Sequence, residues 1–501
     1  MIRPAAALLG LVVFVLLATA NGAGYRYGTS DQAAYVPTVM LAENPAAFPR
    51  DAPLIRTQGQ FFLVDDALAA IGSATGAPIE WLFLGAYLLS LVAIWIGVLL
   101  IGTRLYPSAW LTCVLALVVT LRHRITLTAA NSLEPYFQSR VLAFGIGLVA
   151  IGAFVRRRDW FAIAAVAAAA VCHITTAVWF AILIGTALVI VDRRWRRLAG
   201  AGAVVAIAVL AWVAVAGPLR AASVTMDDVW IEAVAGKDYL FANEWPWWGW
   251  PANLGLIALL WIVHTIRQRR GTATAEDRAL TWGATALVGL FLLTLPAVMA
   301  HVAIAIQLQV ARVFWLVDFL AAMYLVALLG ELLPGSAGST PAEHALGGTR
   351  PAYVALAITL LLISTTRGIY VLQHTQRSLF QVSLPHDDWL DAMTWIARQP
   401  LDVHVLADPN HAELYGSSVR VAAQRDVLLE DGKDSAIAIY SRPVAERVVD
   451  RRHAVGDFTK LTAEKARALA ARYDLTHLVT EAALPLPEMY RNRRFTIYGL
   501  R

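Results

Sequence analysis

Residues 160–191, WFAIAAVAAAAVCHITTAVWFAILIGTALVIV, run for thirty-two positions without an Asp, Glu, Lys or Arg, between the arginine clusters RRR at 156–158 and RRWRR at 193–197. A run this apolar belongs in a bilayer. As one helix it would be about 48 Å long at 1.5 Å per residue, against a hydrocarbon core of ~30 Å. It would also carry one arginine cluster to the far side, whereas Lys and Arg gather in cytoplasmic loops. The segment therefore predicts a hairpin of two short arms with CHITT at its tip, which places His173 on the non-cytoplasmic side.

The rest of the chain obeys the same constraint. Of its 501 residues 58% are hydrophobic and only 15% charged, with a mean hydropathy of +0.59, far more apolar than a soluble domain. The net charge of +5 is carried almost wholly by arginine clusters that abut apolar runs. That distribution is a topology signal and argues against nucleic acid as a partner. Cys113 and Cys172 both sit inside apolar stretches, so neither a disulfide framework nor a thiolate metal site has support.

With the arginine clusters inside, the runs alternate. Segment 4–21 leaves, 79–103 returns, 107–121 leaves and 140–155 returns to the triple arginine. After the hairpin, 198–216 leaves, 252–266 returns to RQRR, 279–300 leaves, 313–333 returns and 351–366 leaves. The count is about eleven membrane segments, with the N-terminus cytoplasmic and the C-terminus outside. Arg122 and Arg124 stand against the rule as local exceptions. The first segment also has the build of a signal peptide, an arginine before an apolar stretch and ATA at 18–20; it is taken here as a retained helix, and either way the chain emerges on the far side. PGSAGSTPAEHALGG, 334–348, reads as a flexible cytoplasmic linker.

Beyond residue 383 the composition becomes mixed. DDWLDAMTWIARQ predicts a helix capped by Asp387 or Asp388, and VHVLAD a buried strand. VAERVVDRR and AEKARALAARY have helical periodicity, and LTHLVTE and RRFTIYGL read as strands. The fold class is thus mainly α: a polytopic transmembrane bundle over 1–383, with an external loop at 22–78, followed by a small external α/β domain over 384–501. No GxGxxG, P-loop or nucleophile motif occurs in that domain.

Polar residues concentrate on the outer side. The first loop holds Asp31, Glu43, Asp51, Asp65 and Asp66; the second Arg122, His123, Arg124, Glu134 and Arg140; the fourth Asp227, Asp228, Lys237, Glu244 and WPWWGWP; a further turn His301, Gln307, Gln309 and Arg312. Acids, arginines and indoles on one membrane face suit an anionic head group and a sugar-like partner. Asp65 and Asp66 precede ALAAIG and read as caps of a helix lying on the membrane. Asp318, inside the apolar ARVFWLVDFLAA, reads as paired with an arginine of a neighbouring helix.

One crossing helix, a long external loop with an acid in a D-x-x-x-Y setting (Asp31 to Tyr35), many further helices and an external C-terminal domain resemble the GT-C class of membrane glycosyltransferases. The stretch EPYFQSRVLAFGIGLVAIGAFVRRRDWFAIAAVAAAAVCHITTA and the tail THLVTEAALPLPEMYRNRRFTIYGLR are similar to bacterial GT-C-like proteins of unassigned function. The resemblance implies a lipid-linked sugar donor, a polyprenyl phosphate, inversion at the anomeric carbon, and an envelope acceptor at the periplasmic face of the bacterial inner membrane.

Within it Asp31 is the expected base, walled by Tyr25, Tyr27 and Tyr35, since an attacking hydroxyl must lose its proton to a group in hydrogen-bond reach. Arg140, Arg124 and Arg312 are expected to stabilise the leaving phosphate, with His173 as a further donor and Glu134 beside them. Trp247 and Trp248, with Trp245 and Trp250, serve either as a sugar platform or as an interfacial belt. Many members of the class have a second acid directly after the loop aspartate; here Gln32 follows, which leaves a divalent cation as an open cofactor. Two other readings stand beside a transferase: a transporter or flippase of lipid-linked or anionic substrates, and a non-catalytic GT-C-like scaffold.

Overall fold

Lipid offers the backbone no hydrogen-bond partner, so each membrane segment must satisfy its own groups as a helix. The computed structural model describes residues 4–59, 63–215, 224–333 and 351–501; the linker expected at 334–348 lies outside them. All eleven expected segments are helical: Pro4–Asn21, Ile79–Leu105, Ala109–Thr120, Ser139–Phe154, Asp159–Cys172, Ile174–Val191, Arg194–Val215, Gly249–Arg269, Ala275–Met299, Val313–Leu332 and Pro351–Thr375. Among the described residues seven helical spans are long and apolar enough to cross a membrane alone, while 109–120, 139–154 and 159–172 are shorter. The protein is a polytopic membrane bundle with a small α/β region.

The 160–191 run breaks where charge and length required. His173 separates the two arms with extended backbone, φ −159° and ψ 104°. Their far ends meet: Asp159 accepts hydrogen bonds from Arg194 and, at 3.0 Å, from Trp195 Nε1, and the Trp160 and Trp195 rings lie 5.1 Å apart. Both arginine clusters therefore sit at one end. Arg157 pairs there with Glu276, and Arg267 bridges Asp277 at 2.9 Å and Glu331 at 2.8 Å.

The chain divides into two compact units. One comprises Met1–Tyr25, Ala86–Thr225 and Lys237–Phe380; the other comprises Arg26–Gly85, Met226–Gly236 and Gln381–Arg501. In the first, the Ser139–Phe154 helix is the axis, with nearly every residue buried. Gly145 and Gly147 permit this: a methyl on Gly145 would meet Ile94 N at 2.9 Å, and one on Gly147 would meet the Phe180 ring at 2.3 Å. Small residues let membrane helices approach to backbone contact.

The second unit is built on a five-stranded sheet in the order Asp426–Val427, His404–Leu406, His477–Thr480, Thr496–Gly499, Glu488–Arg491. The first three strands are parallel and the last two join antiparallel. Trp389, Met393, Ile396, Val405, Val427, Val479, Phe495 and Ile497 form its core. The expected helix starts at Asp388 with Asp387 as its cap, accepting from Leu390 N at 2.8 Å. The edge strands 426–427 and 488–491 carry no sequence signal.

The segment that begins at Arg26 belongs to the same unit. Asp51, fully buried, accepts from Arg420 Nε at 2.8 Å, from Val427 N at 3.1 Å and from Arg447. Arg420 also grips Asp434 with two bonds, 2.6 and 3.1 Å, and Glu430 at 3.2 Å. Burial makes such a cluster costly unless each charge is answered. The arginines Arg420 and Arg447 hold the Asp51 carboxyl well below the usual range, although burial opposes them. Glu430 is pushed up to about 7, burial outweighing Arg420.

Two expectations for the loop acids are corrected. Asp65 does not cap a helix: it lies in the first turn of Leu63–Thr75 with 2% exposure, and burial, aided by Asp66, pushes its carboxyl up to about 8. Tyr25 and Tyr27 are not open walls but core residues, 0% and 2% exposed, packed on Tyr87 and Phe83 respectively.

Candidate active site

In the membrane unit the loop between Ala109–Thr120 and Ser139–Phe154 lies at the end of the bundle opposite the arginine clusters. Arg124–Ile125 pairs with Ala130–Asn131 as a minimal hairpin, closed by Leu127 and Ala129 at φ 52° and 50°. Non-glycine residues in the left-handed region store strain and persist only where the surroundings enforce them. Asn253 Nδ2 donates to Thr126 O at 3.0 Å, Arg122 Nε to Leu133 O at 2.9 Å, and Arg367 Nη2 to Arg122 O at 2.7 Å.

Glu134 is the organiser. Its Oε1 takes Arg140 Nη2 at 3.0 Å, its Oε2 takes Asn131 Nδ2 at 2.9 Å, and Arg122 lies 3.7 Å away. Arg140 does not snorkel along the helix end: it is 7% exposed and folds onto Glu134. Arg312 Nε reaches Thr128 O at 3.5 Å and its guanidinium lies 5.7 Å from the Tyr239 ring centre. Arg124 is exposed.

His173 joins this group from the hairpin tip, with Arg312 and Arg140 as its charged neighbours. Its Nδ1 caps the following helix, accepting from Thr176 N at 3.2 Å, with Thr176 Oγ1 at 2.9 Å. An acceptor role for Nδ1 puts the ring proton on Nε2, leaving that atom a donor. The structure thus brings Arg140, Glu134, His173 and Arg312 to one region of the membrane unit. Arg122 and Arg140 meet the Glu134 carboxylate and Arg367 reaches the Arg122 carbonyl, guanidiniums of the kind that bind an anion such as phosphate.

Asp318 pairs with a histidine rather than an arginine: His123 Nε2 lies 3.0 Å from Asp318 Oδ2, and His123 Nδ1 3.1 Å from Leu121 O. With an acceptor at both ring nitrogens, His123 is pushed up, chiefly by Asp318. Sequence reasoning listed Arg122 and His123 among the polar residues of this loop without giving either a role, and passed over Arg367; Arg122 and Arg367 join the cluster through backbone carbonyls. Trp247 and Trp248 are exposed, 81% and 48%, just before the 249–269 helix. Trp245 by contrast is buried, stacked on Phe291 at 5.6 Å, so it belongs to neither platform nor belt.

Asp31 and Tyr35 belong to the second unit. Asp31 occupies the N-cap position of Gln32–Glu43, yet its side chain makes no cap bond; instead Lys433 Nζ lies 3.4 Å from its Oδ1. Tyr35 stands one turn later, on the same helix face, and is half-buried. The residues near Asp31 do not fit a divalent cation, which wants several oxygen ligands. A cationic ammonium already stands beside the carboxylate, and Gln32 Oε1 accepts from Gly28 N at 2.7 Å. Among the described residues no three His, Cys, Asp or Glu side chains converge as a metal site.

No protein-family model matches the sequence, and no curated protein matches it as a sequence relative. Solved structures do resemble the fold. The apo oligosaccharyltransferase of Archaeoglobus fulgidus aligns over 96% of this chain and 70% of its own, with a TM-score of 0.51 at 12% identity. The arabinofuranosyltransferase AftD from Mycobacteria aligns over 100% of this chain and 40% of its own, with a TM-score of 0.49 at 14% identity. The fold is similar to that of the oligosaccharyltransferase along nearly all of this chain. At such identities the likeness is one of fold.

Proposed function

We propose that this protein is a membrane glycosyltransferase that moves a sugar from a polyprenyl-phosphate donor to an envelope acceptor at the periplasmic face of a bacterial inner membrane. The observation that carries the reading is the arginine cluster about Glu134, set in a GT-C-like bundle. It answers the charge a donor phosphate gathers on leaving.

In the proposed reaction an acceptor hydroxyl attacks the anomeric carbon, the bond from that carbon to the phosphate oxygen breaks with its electron pair going to oxygen, and the hydroxyl proton passes to a base, the role that the resemblance to GT-C enzymes implies for Asp31. One displacement inverts the carbon. Arg140 and Arg312 stabilise the departing polyprenyl phosphate, and His173 Nε2–H adds a neutral donor. Arg124 offers the entering phosphate an exposed charge, while Trp247 and Trp248 seat the unit at the interface. No step passes through a metal.

The test is release of sugar by the purified protein from a panel of polyprenyl-phosphate monosaccharides. Asp31→Asn is expected to lower turnover by about 10²–10⁴, the usual share of a general base, with donor binding retained. Unchanged turnover in that variant removes Asp31 as the base. Donor movement across liposomes without sugar release points instead to a transporter.

A further inference from the structure

Within the second unit, the carboxylate of Asp31 is met by a lysine from the other end of the chain. Lys433 Nζ stands 3.4 Å from Asp31 Oδ1, and only 12% of the lysine side chain is exposed against 39% of the aspartate's. The lysine is held rather than wandering. It sits on the helix Asp431–Ala438 between two clamped acids: Asp434, gripped by Arg420 through bonds of 2.6 and 3.1 Å, and Asp431, bonded by Arg452 Nη2 at 2.6 Å. Arg420 in turn reaches Asp51 at 2.8 Å, in the same 26–85 segment that carries Asp31. Two ties, Asp51 through Arg420 to Asp434 and Asp31 to Lys433, thus link that segment to one short helix. Glu430, the remaining acid there, is engaged by Ser418 Oγ at 2.9 Å and by Arg420.

Among the described residues no three His, Cys, Asp or Glu side chains converge at Asp31, an ammonium stands beside its carboxylate, and the Gln32 side-chain oxygen accepts from the Gly28 amide. We infer that Lys433 fills the cation's place at Asp31: it is a positioning residue that neutralises and orients the carboxylate, so the site works without a divalent metal. The inference rests on the reading of Asp31 as the base. An ammonium is a point charge with rotatable donors, able to swing aside as an acceptor hydroxyl arrives.

The experiment uses the full-length protein in detergent, with sugar release from polyprenyl-phosphate monosaccharides as one readout and Mn²⁺ titration followed by electron paramagnetic resonance as the other. Lys433→Met is expected to lower kcat at least tenfold with KM within twofold, and Lys433→Arg to restore most of the rate. Wild-type turnover is expected to survive chelation, with no bound Mn²⁺ signal that Asp31→Asn removes. Wild-type turnover lost on chelation and restored by Mn²⁺ overturns the inference, as does a Lys433→Met kcat equal to wild type. Asp31→Asn decides the underlying reading separately: if it turns over normally, that reading falls and takes the lysine's role with it. If it is inactive while Lys433→Met is normal, only the lysine's role falls.

Discussion

His173 performs two tasks with two atoms. Nδ1 caps the second arm of the hairpin, and Nε2 carries the proton that the proposed reaction uses as a donor. Substitutions separate them. His173→Ala removes both, and is expected to cost about 1 kcal/mol as a lost N-cap together with about a tenfold to hundredfold drop in turnover as a lost phosphate donor. His173→Asn restores a capping oxygen, so thermal unfolding should return toward wild type while turnover stays low. If His173→Asn recovers both, the imidazole is only a cap. That a histidine here matters was legible from its place between two apolar arms. That it caps was not, since histidine is no customary cap residue and only the fold shows Thr176 N turned toward it.

At the scale of elements, the Arg420 cluster sets the pH response of the second unit. The unfolded chain releases the Glu430 proton near pH 4.5, whereas the folded chain holds it to about 7. Between those values the folded state binds the extra proton, so this group's contribution to stability falls as pH rises and is flat above 7. Asp426, pushed up to about 6 by burial and by Asp51, acts with the same sign. Buried His404 and His411, lowered to about 4 chiefly by burial, act oppositely, because the unfolded imidazoles bind the proton first as pH drops. A comparison of Glu430→Gln with wild type cancels these other groups. The variant is expected to gain steadily on wild type from pH 4.5 to 7, by up to ~1.4 kcal/mol per pH unit, read as slower hydrogen exchange in peptides spanning 404–438. A constant difference across that range would show Glu430 ionised throughout. Arg420→Met should instead weaken the unit by about 3–5 kcal/mol, since it strands Asp51, Glu430 and Asp434 in the core. None of this was legible along the chain: Asp51 and Arg420 are 369 residues apart, and no local pattern marks such a pairing. The sheet's central strands and Asp387 were legible because alternation and caps are local. The two-residue hairpin at 124–131 was not, because its left-handed positions are held by Leu127 and Ala129 rather than by glycine or asparagine.

For the whole molecule, charge and length carried most of the reading. Among the described residues apolar runs marked the seven helices long enough to cross a membrane, and the arginine clusters marked which ends meet, so the fold of the bundle followed where that of the second unit did not. Orientation can be tested directly in a cysteine-free background. Arg193→Cys, at the arginine end, is expected to react with an impermeant maleimide only after the cells are opened, and Trp247→Cys, at the opposite end, in intact spheroplasts; the reverse pattern would invert the topology. The short helices Ala109–Thr120, Ser139–Phe154 and Asp159–Cys172, of 12, 16 and 14 residues, carry a further consequence. At 1.5 Å per residue they measure about 18, 24 and 21 Å, well under a ~30 Å hydrocarbon layer. Ser139–Phe154 is shielded by its neighbours, but beside Ala109–Thr120 and Asp159–Cys172 a mismatch of that size makes the bilayer thin or draws water inward. A lipid head group near Arg140 and His173 would then ride lower than its neighbours, and the rate of sugar transfer should depend on the acyl-chain length of the surrounding phospholipid.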